Sequence, residues 1–193
     1  MIFIKQNQGY SLIEVLVAIT ILLVAIVGPM TIAATGLKNV QFAREQNIAI
    51  FLAQEGIEKT HQRRDEFYLR TFFGGESGNN WSDDFVDVIT DPDDCGDDGC
   101  TYSFTSLSPI DCDPVASCDV ERGVIDGLTV YTNAGDVSAD SGTLEGTEFS
   151  RTIIVSNDSG VLQVVSQVTW DSKSTGEAEQ LELHSYIYNT YGL

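Results

Sequence analysis

Histidine is nearly missing from this chain: His61 and His184 are the two imidazoles in 193 residues. No HExxH pair, no glycine loop fit to cradle a phosphate and no nucleophile beside a base accompanies them, so the sequence reads as non-catalytic. Positive charge is scarce as well, with ten Lys and Arg against 29 Asp and Glu, for a net charge of −19. The scarcity is uneven. Residues 71–193 hold three basic residues (Arg122, Arg151, Lys173) against 23 acidic ones, whereas residues 10–70 hold six of each. An acidic surface of this kind repels phosphate backbones and anionic lipid, which disfavours direct nucleic-acid binding. Divalent cations or a basic partner suit it better, although a solvated acidic surface needs no partner.

Charge is absent altogether from Val15 to Leu37, 23 residues that are mostly apolar. As a helix they extend roughly 34 Å at about 1.5 Å per residue, enough to cross a hydrocarbon core of about 30 Å. A cleavable secretory signal has an apolar core of only about 7 to 15 residues, ending at an A-x-A-like site. Neither feature is present. A short polar leader, MIFIKQNQG, precedes the run. Lys5 lies before the span and Lys38 and Arg44 after it, so the positive-inside rule barely discriminates between orientations.

Gly9, then Tyr10-Ser11-Leu12-Ile13-Glu14, then the apolar run, resembles the class III signal of type IV prepilins and type II secretion pseudopilins. In that family glycine ends the leader, an aromatic residue, usually Phe, starts the mature chain, and glutamate is its fifth residue. The resemblance covers about the first 60 residues, and Tyr10 in place of Phe is a small departure. It implies that prepilin peptidase cuts between Gly9 and Tyr10 on the cytoplasmic side and that Tyr10 is then N-methylated. Glycine suits the cut because no side chain obstructs the approach of the peptidase to the backbone.

Glu14 stands at the edge of the apolar run. An ionised carboxylate at the bilayer centre costs on the order of 2.5 to 3.5 kcal/mol even on lenient scales. No Lys or Arg lies near it in sequence. The resemblance implies that its partner is the amine of Tyr10 on a neighbouring subunit, and a buried pair of this sort specifies register more than it adds stability. A hydrated glutamate in the headgroup zone is the plain alternative. Gly28-Pro29 predicts a kink or local melting, because proline leaves the Ala25 carbonyl without its donor. Family members often carry a helix breaker near this point, and an ordinary membrane proline kink reads the same way.

The helix is expected to continue to about residue 68. Residues 38–70 contain no proline and one glycine, and Leu37, Val40, Ile48, Phe51, Leu52 and Ile57 recur with helical spacing on one broad side. That side is expected to pack on a head domain. Lys59, Arg63, Arg64 and Arg70 read as cations opposing the negative end of the helix rather than as a nucleic-acid patch. Beyond it, Thr147–Ser156, Val161–Trp170 and Gln180–Tyr188 read as antiparallel strands parted by NDSG and KSTGE turns. Alternation puts Leu162, Val164, Val168 and Trp170 on one face, with Leu181, Leu183 and Ile187, to cover the helix. The ending resembles that of minor pilins and I-type pseudopilins. A helix across about four strands is also the head arrangement that the family resemblance implies.

The predicted fold is therefore α+β. A long N-terminal helix, transmembrane in its first half and amphipathic in its second, packs on an antiparallel head with disulfide-bearing loops. The segments are a leader (1–9), a transmembrane or filament-core helix (10–37), its amphipathic continuation (38–70), a variable loop-rich region (71–146) and the sheet (147–193). Short strand-like pieces, Thr101–Phe104 and Leu128–Thr132, fall within the variable region, as do Cys95, Cys100, Cys112 and Cys118. An even number in an exported head argues for two disulfides. Three pairings exist, and easy closure of short loops favours Cys95 with Cys100 and Cys112 with Cys118. Zinc is disfavoured, since neither spacing is C-x2-C and hard oxygen ligands surround the cysteines. DPDDCGDDG (91–99) starts like an EF-hand loop but fails at Cys95 and Tyr102, which leaves a looser calcium site at Asp93, Asp94, Asp97 and Asp98 as the one cofactor candidate.

Two functional readings follow. One is a pilin or minor pilin of a type IV pilus-like filament, held single-pass in the cytoplasmic membrane with its head outside. Its partners would be prepilin peptidase, other pilin subunits and the pilus assembly machinery, and it would end in a cell-surface filament. A type II secretion pseudopilin is a variant of this reading with the same assembly physics. The other is a membrane-tethered acidic extracellular domain, binding calcium or a ligand without polymerising.

Overall fold

The computed structural model describes residues 11–74, 85, 99–102, 109–112, 118–125, 128–133 and 144–188. The helix α1 (Leu12–Gly74) runs for 63 residues, about 94 Å at 1.5 Å per residue. It starts with the Ser11 carbonyl accepting from the Glu14 and Val15 amides at 3.0 and 3.3 Å. The helical run continues through Gly28 and Pro29, and the Thr31 hydroxyl donates to the Val27 and Gly28 carbonyls at 3.0 and 2.7 Å.

α1 outruns its expected end, and this corrects the reading of its basic cluster. The last turn holds no cation. Lys59, Arg63, Arg64 and Arg70 are instead neutralised by Glu55, Glu66 and Asp65 along the helix. Lys59 is buried beside a half-buried Glu55, whereas the Arg70–Glu66 pair is exposed at its arginine and contributes only a few tenths of a kcal/mol, about 0.3 to 0.5.

Among the described residues, seven strands form one antiparallel sheet: β1 (Cys100–Tyr102), β2 (Pro109–Asp111), β3 (Asp119–Ile125), β4 (Leu128–Asn133), β5 (Glu145–Asp158), β6 (Val161–Asp171) and β7 (Ala178–Ile187). The long β5 organises it. One edge of β5 pairs along its length with β6, which pairs with β7. The other edge takes β3 near its start and β1 at Ile153, and β4 and β2 lie outside them. The expected meander of about four strands is thus β5–β6–β7 enlarged by two hairpin-like pairs from the cysteine-bearing region. Ser159 and Gly160, both at positive φ, make the tight β5–β6 turn, as a two-residue hairpin connection requires.

The residues expected to face the helix do so. Leu162, Val164, Val168 and Trp170 are buried along β6, and Ile187 is buried on β7. The contact splits into two clusters. One gathers Tyr68, Tyr102, Ile153, Leu162 and Val164; the other gathers Ala49, Leu52, Ala53, Phe149, Val168 and Trp170.

The face that α1 offers differs from the expected one. Leu52 is buried and the half-buried Ile48 and Ile57 pack against the core clusters, but Leu37, Val40 and Phe51 are exposed. The buried residues of α1 are Glu45, Ala49, Leu52, Ala53, Gly56, Lys59, Thr60 and Tyr68, and small ones predominate at helical spacing from Ala49 to Thr60. Small side chains let the helix axis come close to the sheet, and closeness buries the strand residues more completely than bulk on the helix would. Gly56 marks a close approach. A Cβ there would stand 2.5 Å from the Ser166 Oγ and 3.3 Å from the Ile153 Cδ1.

Candidate functional site

The feature that needs a function is the first half of α1. Every residue from Ser11 to Gln41 is exposed, including Leu12, Leu16, Leu22, Leu23, Ile26, Met30 and Ile32. We call residues 12–37 the rod. Apolar surface on this scale far exceeds the few hundred Å² that a monomer in water normally shows. Each large side chain left in water forgoes about 1.5 to 3 kcal/mol of transfer free energy. Lipid or protein must therefore cover the rod. Its mean hydropathy and length suffice to span a membrane.

Glu14 lies in the first turn of α1, exposed like its neighbours. A carboxylate there is favourably placed against the positive end of the helix. Gly9 and Tyr10 lie outside the described residues.

Beyond the rod, polar contacts fasten α1 to the head at three levels. At the exit of the helix, the buried Glu45 carboxylate accepts from the Ser172 hydroxyl at 2.7 Å and from the Lys173 amide at 3.3 Å, which ties the helix to the β6–β7 turn. In the middle, Arg151 points inward from β5 and is 2% exposed. It donates to Glu55 at 3.0 Å, to the Leu52 carbonyl at 3.4 Å and to Asn133 at 3.4 Å. Asn133 in turn donates to the Tyr102 carbonyl at 2.5 Å. Burial pushes the Arg151 guanidinium below its ordinary pKa, and the Glu55 charge works against that shift.

Higher up, His61 meets the Ser185 hydroxyl of β7 at 3.2 Å. Burial, helped by the Arg64 charge, lowers its pKa, while Glu58 and Asp65 pull the other way. His184 faces outward, beside Gln163 and Glu182. The two histidines are thus on opposite faces of the sheet and form no pair.

Cys112 and Cys118 are joined, with Cα atoms 5.2 Å apart, as their short spacing predicts. The bridge secures the start of β3, where the Cys118 carbonyl accepts from the Arg151 amide at 2.9 Å and the Ser150 hydroxyl at 3.2 Å. Cys100 is also disulfide-bonded, and Cys95 lies outside the described residues. So do Asp93, Asp94, Asp97 and Asp98, the calcium candidates. Among the described residues no cluster of three or more His, Cys, Asp or Glu is placed to hold a metal ion.

Sequence reasoning missed the anchors Glu45 and Arg151. Both are charges on the buried side of their elements, at positions where alternation or helical spacing demands an inward residue. The inward register of Arg151, between Phe149 and Ile153, was the available signal.

An exposed apolar rod fused to an α+β head, with the helix laid across an antiparallel sheet, defines a protein anchored in the membrane by its N-terminal helix. The family model for the prokaryotic N-terminal methylation motif matches residues 4–28. The chain therefore carries a class III prepilin signal, as in type IV pilins and pseudopilins, and that signal implies processing by prepilin peptidase and contact with the pilin machinery. The signal belongs to structural proteins rather than to enzymes. Neither a curated protein nor a solved structure matches the chain.

Proposed function

We propose that this chain is a structural subunit, pilin or minor pilin, of a type IV pilus-like filament. It is made as a prepilin, cut between Gly9 and Tyr10, methylated at Tyr10, and held by its rod in the cytoplasmic membrane with the head outside. It then enters a cell-surface filament in which rods bundle. The observation that carries this reading is a wholly exposed apolar rod, charged only at Glu14, that begins within a methylation motif.

A bundle covers with protein the surface that lipid covers before assembly. It also supplies the Glu14 carboxylate with a cation, the amine of Tyr10 on a neighbouring subunit, so that neutralisation of the acid and axial register become one event. Residues 38–70 hold the head to the rod.

The test is the amino-terminal sequence and mass of the protein from native membranes and from sheared filaments. A start at N-methylated Tyr10 in both fractions is expected. A chain beginning at Met1, or absence from any filament fraction, overturns the proposal and leaves a tethered, non-polymerising acidic domain.

A further inference from the structure

Two of the three basic residues beyond position 70, Arg122 on β3 and Lys173 after β6, gather with Arg44 of α1 around one cleft of about 430 Å³. Sites for small ligands run from about 300 to 1,000 Å³, so the cleft has room for one. Glu45, Glu145 and Glu148 share its lining, which makes it neutral on a chain of net charge −19. Five of these six charges are engaged. Arg122 meets Glu145 at 3.1 Å and Lys173 meets Glu148 at 3.0 Å, while Glu45 accepts from the Ser172 hydroxyl and the Lys173 amide. Among the described residues, the Arg44 side chain alone of the six has no partner.

The position of the cleft says what that free cation meets. Gln41 on its rim lies four residues beyond Leu37, about 6 Å along the axis, and Arg44 seven residues, about 10 Å. The headgroup layer outside the hydrocarbon is about 5 to 8 Å deep. Side chains on a helix lean toward its N-terminus, here toward the bilayer, so the Arg44 guanidinium comes down to the level of the lipid phosphates. Arginine is suited to them, because its planar fork binds phosphate oxygens in pairs.

The remaining charges select the headgroup. The acidic chain repels a lipid of net negative charge, whereas a zwitterion adds none. Its cationic end needs a carboxylate that can be shared. Glu145 is exposed and its pair with the exposed Arg122 is weak, so it can take a second donor. An ammonium with N–H groups donates to it; a trimethylammonium has no hydrogen to give. We propose that the cleft binds a phosphoethanolamine headgroup of the surrounding membrane, with Arg44 on the phosphodiester and Glu145 on the ammonium. The site goes beyond the filament reading and depends on the rod standing in a membrane before assembly.

The test places the full-length chain in nanodiscs of phosphatidylcholine doped with equal minor shares of phosphatidylethanolamine and phosphatidylglycerol. Native mass spectrometry after release counts the lipids that stay bound. Phosphatidylethanolamine is expected to be retained about tenfold over its share relative to either other lipid. Arg44→Gln should insert and melt like the parent yet lose that preference. Lys38→Gln removes an equal charge nearer the bilayer but outside the cleft, and should keep it. Retention led by phosphatidylglycerol, or equal losses in the two variants, would mean diffuse attraction to cations and overturn the site. Insertion with no lipid preferred overturns the site and leaves the rod in the membrane. Failure to insert overturns both.

Discussion

Arg151 on β5 and Glu55 on α1, 96 residues apart in sequence, meet at 3.0 Å beneath the helix. The two partners are unequal in burial: the arginine side chain is 2% exposed and the glutamate 31%. Removing Glu55 strands a charge out of water, whereas removing Arg151 leaves a carboxylate that keeps Lys59 and solvent. Glu55→Ala is expected to cost about 3 kcal/mol, the low end for breaking a buried pair because solvent already shares the carboxylate, and Arg151→Met about 1 to 2 kcal/mol. Denaturant titration of the full-length chain in detergent checks this. Equal costs would show that the pair is not limited by burial of the arginine.

Gly56 sits over Ser166 at a close helix–sheet approach. In an open helix Gly→Ala gains about 1 kcal/mol. Here the added methyl meets the Ser166 Oγ at 2.5 Å, so Gly56→Ala is expected to destabilise by about 1 kcal/mol. Adding Ser166→Ala should relieve the clash and restore the gain. Absence of that coupling in a double-mutant cycle would place the contact elsewhere.

His61 is held below its ordinary pKa of about 6.5, chiefly by burial. The fold prefers the neutral ring, so its contribution is complete above about pH 6.5 and is lost as the pH falls toward the folded-state value. His61→Gln keeps a polar group opposite Ser185 without the titration. Stability measured at pH 8 and pH 5.5 should fall further in the parent than in the variant; a steeper fall in the variant would reverse the sign.

Glu14→Ala separates insertion from assembly. A carboxylate is costly in hydrocarbon, so the variant should insert and be processed at least as well as the parent. Under the proposed pairing it should enter filaments about tenfold less or worse, because the neighbouring amine would then find no acid. Quantifying the membrane and sheared-filament fractions reads both effects. Recruitment equal to that of the parent would remove the assigned role of Glu14.

Much of this protein was legible along the chain. Twenty-three uncharged residues after a glycine-ended leader announce a rod and its signal, because a membrane or a bundle selects on composition and order alone. The spacing of Leu162, Val164, Val168 and Trp170 names the core face of β6 without any knowledge of what covers it. The short spacing of Cys112 and Cys118 pointed to their bridge.

Other features were decided only by packing. Which side of α1 meets the sheet went to Ala49, Ala53, Gly56 and Thr60 rather than to Phe51, since the closeness of two surfaces depends on both of them at once. The same choice left Phe51 outward. The four strands drawn from residues 100–133 depend on the free edge that β5 offers. Arg151 acquired its partners only when the helix, β1 and β4 closed around it. Local pattern records what each element must hide, while the identity of its cover is a property of two surfaces brought together, and only the folded chain specifies that.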